Sequence, residues 1–307
     1  MEVSLRRLRM LRELRRRGTV TAVADALHYS ASGVSQQLAQ LEREVGATLV
    51  ERHGRRVQLT ELGLLLTDHA DDILDAVERA TTALESAQGG VTARLTVGVW
   101  ASVAAGLLPS ALAALAAAHP GIEVRSVELV PEDTAGAVSD GSLDLSFVID
   151  YSDYPMARDP GLTVVPVAVE RLQAAVPAGT FTAPTVALAA LADQPWILAG
   201  RRSHFGSAVR IACHRSGFEP AARHEVEEQA TALAMVAGGL GVTLVSDLAT
   251  FQVPDGVDIV PLTEPVMRTV SIAYRTTTTR RPSLELVIDA VRTAASEKGL
   301  GASGSLP

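Results

Sequence analysis

The first sixty residues carry closely spaced helical signals, which restrict this part of the chain to short helices. Leucines from Leu5 to Leu14 recur at three-residue steps, which predicts one face of a helix that ends at Gly18. Thr21 is expected to cap a short second helix, and Ser30 a third. The predicted buried stripe of the third helix, which ends at Gly46, is Val34, Leu38, Leu41 and Val45.

The opposite face of the third helix has side chains that suit DNA. It carries small residues and amides, with no carboxylate before Glu42: Ser30, Ala31, Ser32, Ser35, Gln36 and Gln40. Small side chains let a helix approach a duplex, helix N–H groups and serine hydroxyls can meet phosphates, and glutamine can pair with adenine. A polar helix face in contact with solvent would show the same residues, so this pattern alone leaves two interpretations open.

A basic hairpin is predicted immediately afterwards. Residues 49–60 alternate on both sides of a turn centred on Gly54, with Arg52, Arg55 and Arg56 at the tip. Three arginines beside the third helix favour a phosphate clamp over an ordinary solvated loop.

The distribution of charge supports a nucleic-acid partner for this segment. The chain of 307 residues has a net charge of −8, but residues 1–60 hold 11 Arg and no Lys against 6 acidic residues, a balance of +5. The remainder therefore carries −13. A basic head joined to an acidic body is typical of a nucleic-acid-binding module attached to something else, although a basic surface in contact with solvent would give the same balance. The length suits about two domains.

The stretch from Thr19 to Leu38 resembles the winged helix-turn-helix of LysR-type transcriptional regulators, as do Glu51-Arg52, Gly54-Arg55-Arg56 and Leu59 to Gly63. The resemblance implies that the helix from Ser30 enters the major groove of DNA. It also implies that Arg52, Arg55, Arg56 and Thr60 contact the DNA backbone. Ser32 departs from the family pattern, which often has proline at that position.

A long helix is predicted after Gly63, to about Ala87. Its spacing is close to a heptad seam formed by Leu66, His69, Ile73, Ala76, Ala80, Leu84 and Ala87. Gln88-Gly89-Gly90 is expected to form a hinge. In the resembled family this helix pairs two chains, which implies a homodimer, or a homotetramer as a dimer of dimers, on a pseudo-palindromic promoter site in double-stranded DNA.

The body alternates strands and helices and is predicted to be α/β with a largely parallel sheet. The strings Asp140 to Leu145, Gly217 to Pro220 and Ala237 to Val242 resemble the LysR effector-binding domain. The resemblance implies an α/β domain like a periplasmic binding protein, in which two subdomains are joined by two strands and have a cleft between them. The second subdomain is expected to run from about Asp159 to Thr263.

The expected divisions of the chain are 1–63 for DNA binding, 64–90 for the dimerisation helix and hinge, 91–298 for effector binding, and a disordered tail over 299–307.

Positions near predicted strand ends and helix starts identify candidates for the effector cleft: Trp100, Ser102, Glu132, Arg202, Ser203, His204, Glu228 and Thr231. Helix N-termini that point into one cavity favour an anionic small molecule. Glu132 and Glu228 would instead suit an amine, so the charge of the effector stays open. For each residue an ordinary cap or core role is the alternative.

Two other functions are possible for the body. An enzyme would need a poised nucleophile, a metal cluster or a cofactor loop, and the sequence shows none, so no cofactor and no metal are expected. Cys213 falls in an apolar helix stripe and is expected in the core. The remaining alternative is a ligand-independent regulator whose body only oligomerises.

No segment has the character of a signal peptide or a membrane span. Met1 to Arg17 intersperses arginines with leucines, and the uncharged run from Leu95 to Ile122 is broken by glycine and proline. With one cysteine, the chain is expected in the cytoplasm without a membrane partner.

Overall fold

A computed structural model describes residues 3–27, 29–53, 56–87, 92–139, 141–157, 159–276 and 281–301. The chain divides into two compact units at residues 90 and 91.

Three helices form most of the first unit: α1 (Leu5–Arg17), α2 (Val20–Leu27) and α3 (Ala31–Val45). Gly18 and Gly46 end α1 and α3 in the left-handed conformation, at φ 69° and 71°, as the sequence predicts. The Ser30 hydroxyl caps α3 by accepting from the Gly33 N–H at 3.1 Å. The predicted cap of α2 is wrong by two residues: Thr19, not Thr21, accepts from the Ala22 N–H at 3.2 Å, and α2 begins before Thr21.

The predicted hairpin follows as β1 (Val50–His53) and β2 (Arg56–Leu59), paired antiparallel with Val50 opposite Leu59. Glu42 of α3 is hydrogen-bonded to the start of the hairpin, because its Oε1 accepts from the N–H groups of Leu49 and Val50 at 2.8 and 3.1 Å. Gly54 and Arg55, at the tip, lie outside the described residues.

The long helix α4 (Glu61–Ala87) begins two residues before the expected boundary at Gly63. Its first turns belong to the helical unit: Gly63, Thr67, Ala70 and Leu74 are buried. A Cβ atom at Gly63 would lie 2.2 Å from the Leu49 carbonyl oxygen, so only glycine allows this approach. The core that α4 completes holds Leu8, Met10, Leu11, Leu14, Val23, Ala24, Val34, Leu38, Leu41 and Leu49. The hinge predicted at Gln88-Gly89-Gly90 lies outside the described residues.

The second unit is α/β. Its strands are β3 (Ala93–Val99), β4 (Ile122–Glu128), β5 (Leu145–Tyr151), β6 (Leu162–Pro177), β7 (Trp196–Leu198), β8 (Ala222–Glu225), β9 (Thr243–Ser246) and β10 (Val257–Arg275). Its α-helices are α5 (Ala101–Gly106), α6 (Leu108–Ala118), α7 (Pro131–Ser139), α8 (His204–Arg215), α9 (Gln229–Ala237) and α10 (Pro282–Glu297), and 3₁₀ turns span Leu188–Leu191 and Asp247–Gln252.

The main sheet is mixed, with strand order β4-β3-β5-β10-β6-β9. β3 pairs parallel with β4 and β5, whereas β10 pairs antiparallel with β5 and β6, and β6 antiparallel with β9. The expectation of a largely parallel sheet is therefore wrong. The reason is that β6 and β10 are much longer than the segments 163–169 and 268–275 that the sequence indicated, and run in opposite directions through the centre of the sheet.

These two long strands join two halves of the unit. Residues 268–274 of β10 pair with β5, and residues 257–261 pair with the end of β6, from Gln173 to Pro177. The first half holds β3, β4 and β5, and the second holds β7, β8 and β9. This is the two-subdomain arrangement that the resemblance implies.

The chain after α10 is ordered farther than predicted. The Leu300 carbonyl accepts from the Val169 N–H at 2.9 Å, and Gly301 bridges to Ala168. Disorder from Gly299 is thus wrong for residues 299–301, because β6 offers them backbone partners. Residues 302–307 lie outside the described part of the chain.

Candidate functional site

The N-terminal turn of α3 presents small polar side chains. Ser30, Ala31 and Ser32 are exposed, Ser35 is half-buried, and the hydroxyl oxygens of Ser30 and Ser32 lie 3.1 Å apart. The opposite side of the helix buries Val34, Leu38 and Leu41. The buried stripe therefore fixes which side chains of α3 are available to a partner.

The glutamines of α3 differ in their surroundings. Gln40 donates to Glu44 at 3.0 Å and accepts from the Arg43 Nε at 3.1 Å, and Gln37 accepts from the Arg7 Nε at 3.1 Å. Gln36 is the most exposed of the three. Its amide is thus the one best placed on this surface to meet a base edge.

Other predicted DNA contacts fall on the hairpin and at the start of α4. Arg52 and Arg56 lie on β1 and β2, although their side chains, like all of Arg55, lie outside the described part. The Thr60 hydroxyl donates to the Thr48 carbonyl at 2.8 Å and accepts from the Gly63 N–H at 3.0 Å. Thr60 therefore caps α4, a structural role that the sequence interpretation did not include.

Several arginines of α1 face carboxylates of the same unit. The Arg7 guanidinium lies 2.7 Å from Glu44, and the other ion pairs are Arg12–Asp71 and Arg15–Asp68. These pairs lower the net charge that α1 can offer to a phosphate backbone.

One side of α4 is apolar and exposed. Ile73 is 42% exposed, and Leu62 and Leu65 are 52% and 54% exposed. Of the predicted heptad seam, Leu66 is half-buried and His69, Ile73, Ala76 and Ala80 are exposed, whereas the side chains of Leu84 and Ala87 lie outside the described part. Apart from Leu66, which also packs against the core, the described residues of the seam are exposed.

The second unit contains a cavity of about 470 Å³. It lies between the two subdomains. The first subdomain lines it with the ends of β3, β4 and β5 and the starts of α5 and α7. The second lines it with the starts of α8 and α9. Of the predicted cleft residues, Trp100, Ser102, Glu132, Ser203 and Glu228 line it.

The other three predicted residues do not line the cavity. Arg202 and Thr231 are exposed, because the turn before α8 and the first turn of α9 direct them elsewhere. His204 is 8% exposed and stacks on Tyr154, with ring centroids 4.7 Å apart. Burial lowers the pKa of His204, so its imidazole is neutral at neutral pH.

A buried ion pair contributes its arginine, Arg268, to the cavity wall, and the sequence analysis missed it. Arg268 and Glu170 are each 1% exposed, and the Arg268 Nε donates to the Glu170 Oε1 at 2.7 Å. The same guanidinium donates to Ser246 at 2.9 Å and to Ser102 at 3.2 Å. Burial alone would lower the pKa of Arg268, but the Glu170 carboxylate raises it above its ordinary value, so the guanidinium stays charged.

Tyr151 also lines the cavity without having been predicted. It is 2% exposed, and its hydroxyl has no hydrogen-bond partner among the described residues. Burial raises the pKa of Tyr151 to about 12, so the phenol is protonated at neutral pH.

Four glutamates line the cavity: Glu128, Glu132, Glu227 and Glu228. Burial, followed by the charges of Glu128 and Glu227, raises the pKa of Glu228. A carboxylate with a raised folded-state pKa destabilises the fold above that pKa, and this cost disappears at low pH, where both states are protonated.

Glu228→Gln should therefore raise the Tm of the full chain at pH 7, by about 2 °C or less because Glu228 is largely exposed to solvent. Differential scanning fluorimetry between pH 4 and 8 measures the effect, and the gain should shrink as the pH falls. Glu264→Gln, at an exposed glutamate outside the cavity, is the matched control and should leave Tm unchanged. A gain that grows toward pH 4 would contradict this assignment.

The described residues of this unit show neither a cluster of metal-binding side chains nor an exposed thiol. Among the described residues, no group of three or more His, Cys, Asp or Glu side chains is placed to hold a metal ion. Cys213 is fully buried on α8, and burial raises the pKa of its thiol to about 12. None of the described helices combines the length and hydropathy that a membrane crossing requires.

Comparison with known proteins assigns both units. Residues 5–64 match the family of bacterial regulatory helix-turn-helix proteins of the lysR type, and residues 88–296 match the LysR substrate binding domain. A probable hydrogen peroxide-inducible genes activator from Mycobacterium avium is 33% identical over 75% of this chain and 73% of its own length.

Two full-length structures are similar along nearly the whole chain. An OxyR variant from Pseudomonas aeruginosa has a TM-score of 0.68 at 24% identity, covering 95% of this chain and 98% of that one. CbnR in complex with its target DNA has a TM-score of 0.58 at 24% identity, covering 95% and 100%. The chain therefore belongs to the LysR family of DNA-binding transcriptional regulators, with an N-terminal helix-turn-helix and a C-terminal effector-binding domain.

Proposed function

We propose that this regulator is a dimer that binds a promoter sequence, and that α3 and the β1–β2 hairpin of each chain contact the DNA. A small molecule in the 470 Å³ cavity would modulate this DNA binding. The observation that carries the proposal is the exposed N-terminal turn of α3. There Ser30, Ala31 and Ser32 leave the helix free to approach a duplex, and Gln36 is exposed just beyond them.

The roles of individual residues follow from their positions. Ser30, Ser32 and Ser35 would meet phosphates near the N-terminus of α3, where helix N–H groups favour anions. Arg52, Arg55 and Arg56 would clamp the backbone from the hairpin, with Thr60 holding the start of α4. Gln36 would contact a base edge, and Ala31 would lie close to the groove. Gln40 would make a secondary DNA contact, because its amide is already bonded to Glu44 and Arg43.

Gln36→Ala should relax the preference for one base pair, a loss of about 1–3 kcal/mol on specific DNA, because an amide can form two hydrogen bonds with adenine. Fluorescence anisotropy on a selected site and on random duplex DNA measures the two affinities. Binding to random DNA should hardly change, because phosphate contacts dominate it.

Gln37→Ala is the matched control, because Gln37 is half-buried and its amide already accepts a hydrogen bond from Arg7. It should preserve the preference. Equal losses on specific and random DNA for Gln36→Ala would contradict the assignment of α3.

Arg55→Ala should instead weaken binding to all DNA sequences alike, and it should reduce the slope of log affinity against log salt concentration by about 1.

The dimer would form through the seam of α4. Leu62, Ile73 and Ala76 continue one exposed apolar side of the helix, and Leu62 extends the predicted seam by one turn. Two heads joined by such a helix would read two half-sites related by two-fold symmetry. We expect a ligand between the subdomains to change the angle between the heads and hence the bending of DNA.

The body is proposed to be a sensor rather than an enzyme, and the protein is proposed to act in the cytoplasm. Its relatives are transcriptional regulators, and the cavity lacks a nucleophile paired with a base. The relative from Mycobacterium avium is named for hydrogen peroxide, but peroxide sensing by cysteine needs an accessible thiolate. Cys213 is buried and protonated.

We therefore expect hydrogen peroxide to leave both Cys213 and DNA binding unchanged in the native protein. Intact-mass analysis after treatment should show an unmodified thiol, and Cys213→Ser should bind DNA as the unmodified protein does. Oxidation of Cys213 faster than that of a free cysteine, with a change in DNA affinity, would contradict this expectation.

A further inference from the structure

The charge of the cavity is strongly unbalanced. Among the described residues that line it, Arg268 carries the only positive charge, and that charge is already neutralised by Glu170. Four glutamates remain on the cavity wall, and the charges of Glu128 and Glu227 help to raise the pKa of Glu228. An anion entering this space would meet net repulsion, whereas a cation would relieve it.

The helix N-termini that would otherwise favour an anion have carboxylates of the chain itself beside them, although the Glu228 side chain makes no capping hydrogen bond to α9. The His204 N–H at the start of α8 donates to Glu132, which itself stands in the first turn of α7. Glu228 is the N-cap residue of α9, and Glu227 accepts from the Gly200 N–H at 3.0 Å. The dipoles of these helices are thus already complemented by negative charge.

A second, independent observation is the Tyr151 hydroxyl. It lines the cavity, is buried with its side chain, and has no hydrogen-bond partner among the described residues. An unpaired buried hydroxyl is costly, so its partner must come from the cavity, and a bound ligand can supply one. A phenol oxygen can accept a hydrogen bond from an ammonium group. Among the charged side chains, Arg268 acts on this phenol most strongly, followed by Glu170 and Glu132, but the charge of Arg268 is already matched by Glu170.

Apart from Ser102, Ser203 and Gln229, the rest of the wall is apolar, and its aromatic side chains are Trp100 and Phe205. A cavity of about 470 Å³ lies within the range of small-molecule sites. We propose that the effector is an organic amine, whose ammonium group faces the glutamates and the Tyr151 hydroxyl while an apolar body packs between Trp100 and Phe205. This inference rests on the proposed function, because it names the ligand class of the same cavity.

Three probes of nearly equal shape and different charge test the proposal on the full chain: tryptamine, the neutral alcohol tryptophol, and indole-3-propionate. Isothermal titration calorimetry should give tryptamine at least about tenfold higher affinity than tryptophol, with no saturable binding of indole-3-propionate. Binding of tryptamine should also raise Tm in a concentration-dependent manner.

Variants assign the binding to the cavity. The double variant Glu128→Gln, Glu228→Gln should lower the affinity for tryptamine by about tenfold and change the affinity for tryptophol by less than about twofold. Glu264→Gln removes the same charge outside the cavity and should change neither affinity. Tyr151→Phe should weaken tryptamine several-fold while leaving the fold intact.

Equal affinity for tryptamine and tryptophol, tighter binding of indole-3-propionate, or no binding of any probe would each overturn the proposal. DNA binding by the same preparation separates this failure from failure of the proposed function. Specific DNA binding without amine binding would reject the amine alone, whereas loss of specific DNA binding would reject the regulator itself.

Discussion

Arg268→Met should destabilise the effector-binding unit by about 3–5 kcal/mol, because it leaves Glu170 as an unpaired charge in the protein interior. The guanidinium is 1% exposed and also donates to Ser246 and Ser102, so the substitution breaks a connected set of hydrogen bonds. Urea denaturation of the full chain, followed by far-UV circular dichroism, measures the loss as a separate transition of this unit.

The double variant Arg268→Met with Glu170→Met should recover much of this stability, since replacing both partners removes the buried charge. The matched control is Arg94→Met, which breaks the exposed pair with Glu123, whose separation is 2.8 Å. That control should cost less than about 1 kcal/mol. A similar loss for Arg94→Met and Arg268→Met would contradict the role assigned to burial.

Ile73→Glu should convert the regulator to a monomer and reduce its affinity for a two-half-site DNA by about 100-fold or more. The new charge would lie within the apolar seam of the proposed dimer, and linkage of two heads is worth factors of about 10²–10⁴. Because Ile73 is 42% exposed in the single chain, the substitution should leave the fold intact. Analytical ultracentrifugation and anisotropy measure the two effects.

Leu64→Glu provides a closely matched control. Leu64 is also 42% exposed on α4, but it lies nearly half a turn around the helix from Ile73. The Leu64→Glu variant should remain dimeric and keep its affinity for DNA. If Leu64→Glu dissociates the protein and Ile73→Glu does not, the seam lies on the wrong side of α4.

The helical unit was largely predictable because local signals determine it. Leucine spacing, the glycines after α1 and α3 and the Ser30 cap all act within a few residues, and each is confirmed. The error at Thr21 arose because Thr19 and Thr21 are both good caps, and only the backbone geometry distinguishes them. The burial of Thr67, Ala70 and Leu74 was missed because the heptad pattern showed only the other side of α4.

The cavity was less predictable, because its central contacts join distant parts of the chain. Arg268 and Glu170 are 98 residues apart and meet only because β6 and β10 pair. Strand ends and helix starts identified Trp100, Ser102, Glu132, Ser203 and Glu228, since those positions are local. Nothing in the sequence near Tyr151 shows that its hydroxyl would be buried without a partner.

Selection from a random double-stranded DNA library with the whole 307-residue chain tests whether this regulator reads a symmetric DNA site. We expect an enriched motif of two related half-sites with two-fold symmetry, bound at least about 10³-fold tighter than random DNA at physiological salt. Gln36→Ala should broaden one position in each half-site. Enrichment of no motif, with equal and strongly salt-dependent affinity for all sequences, would contradict this expectation.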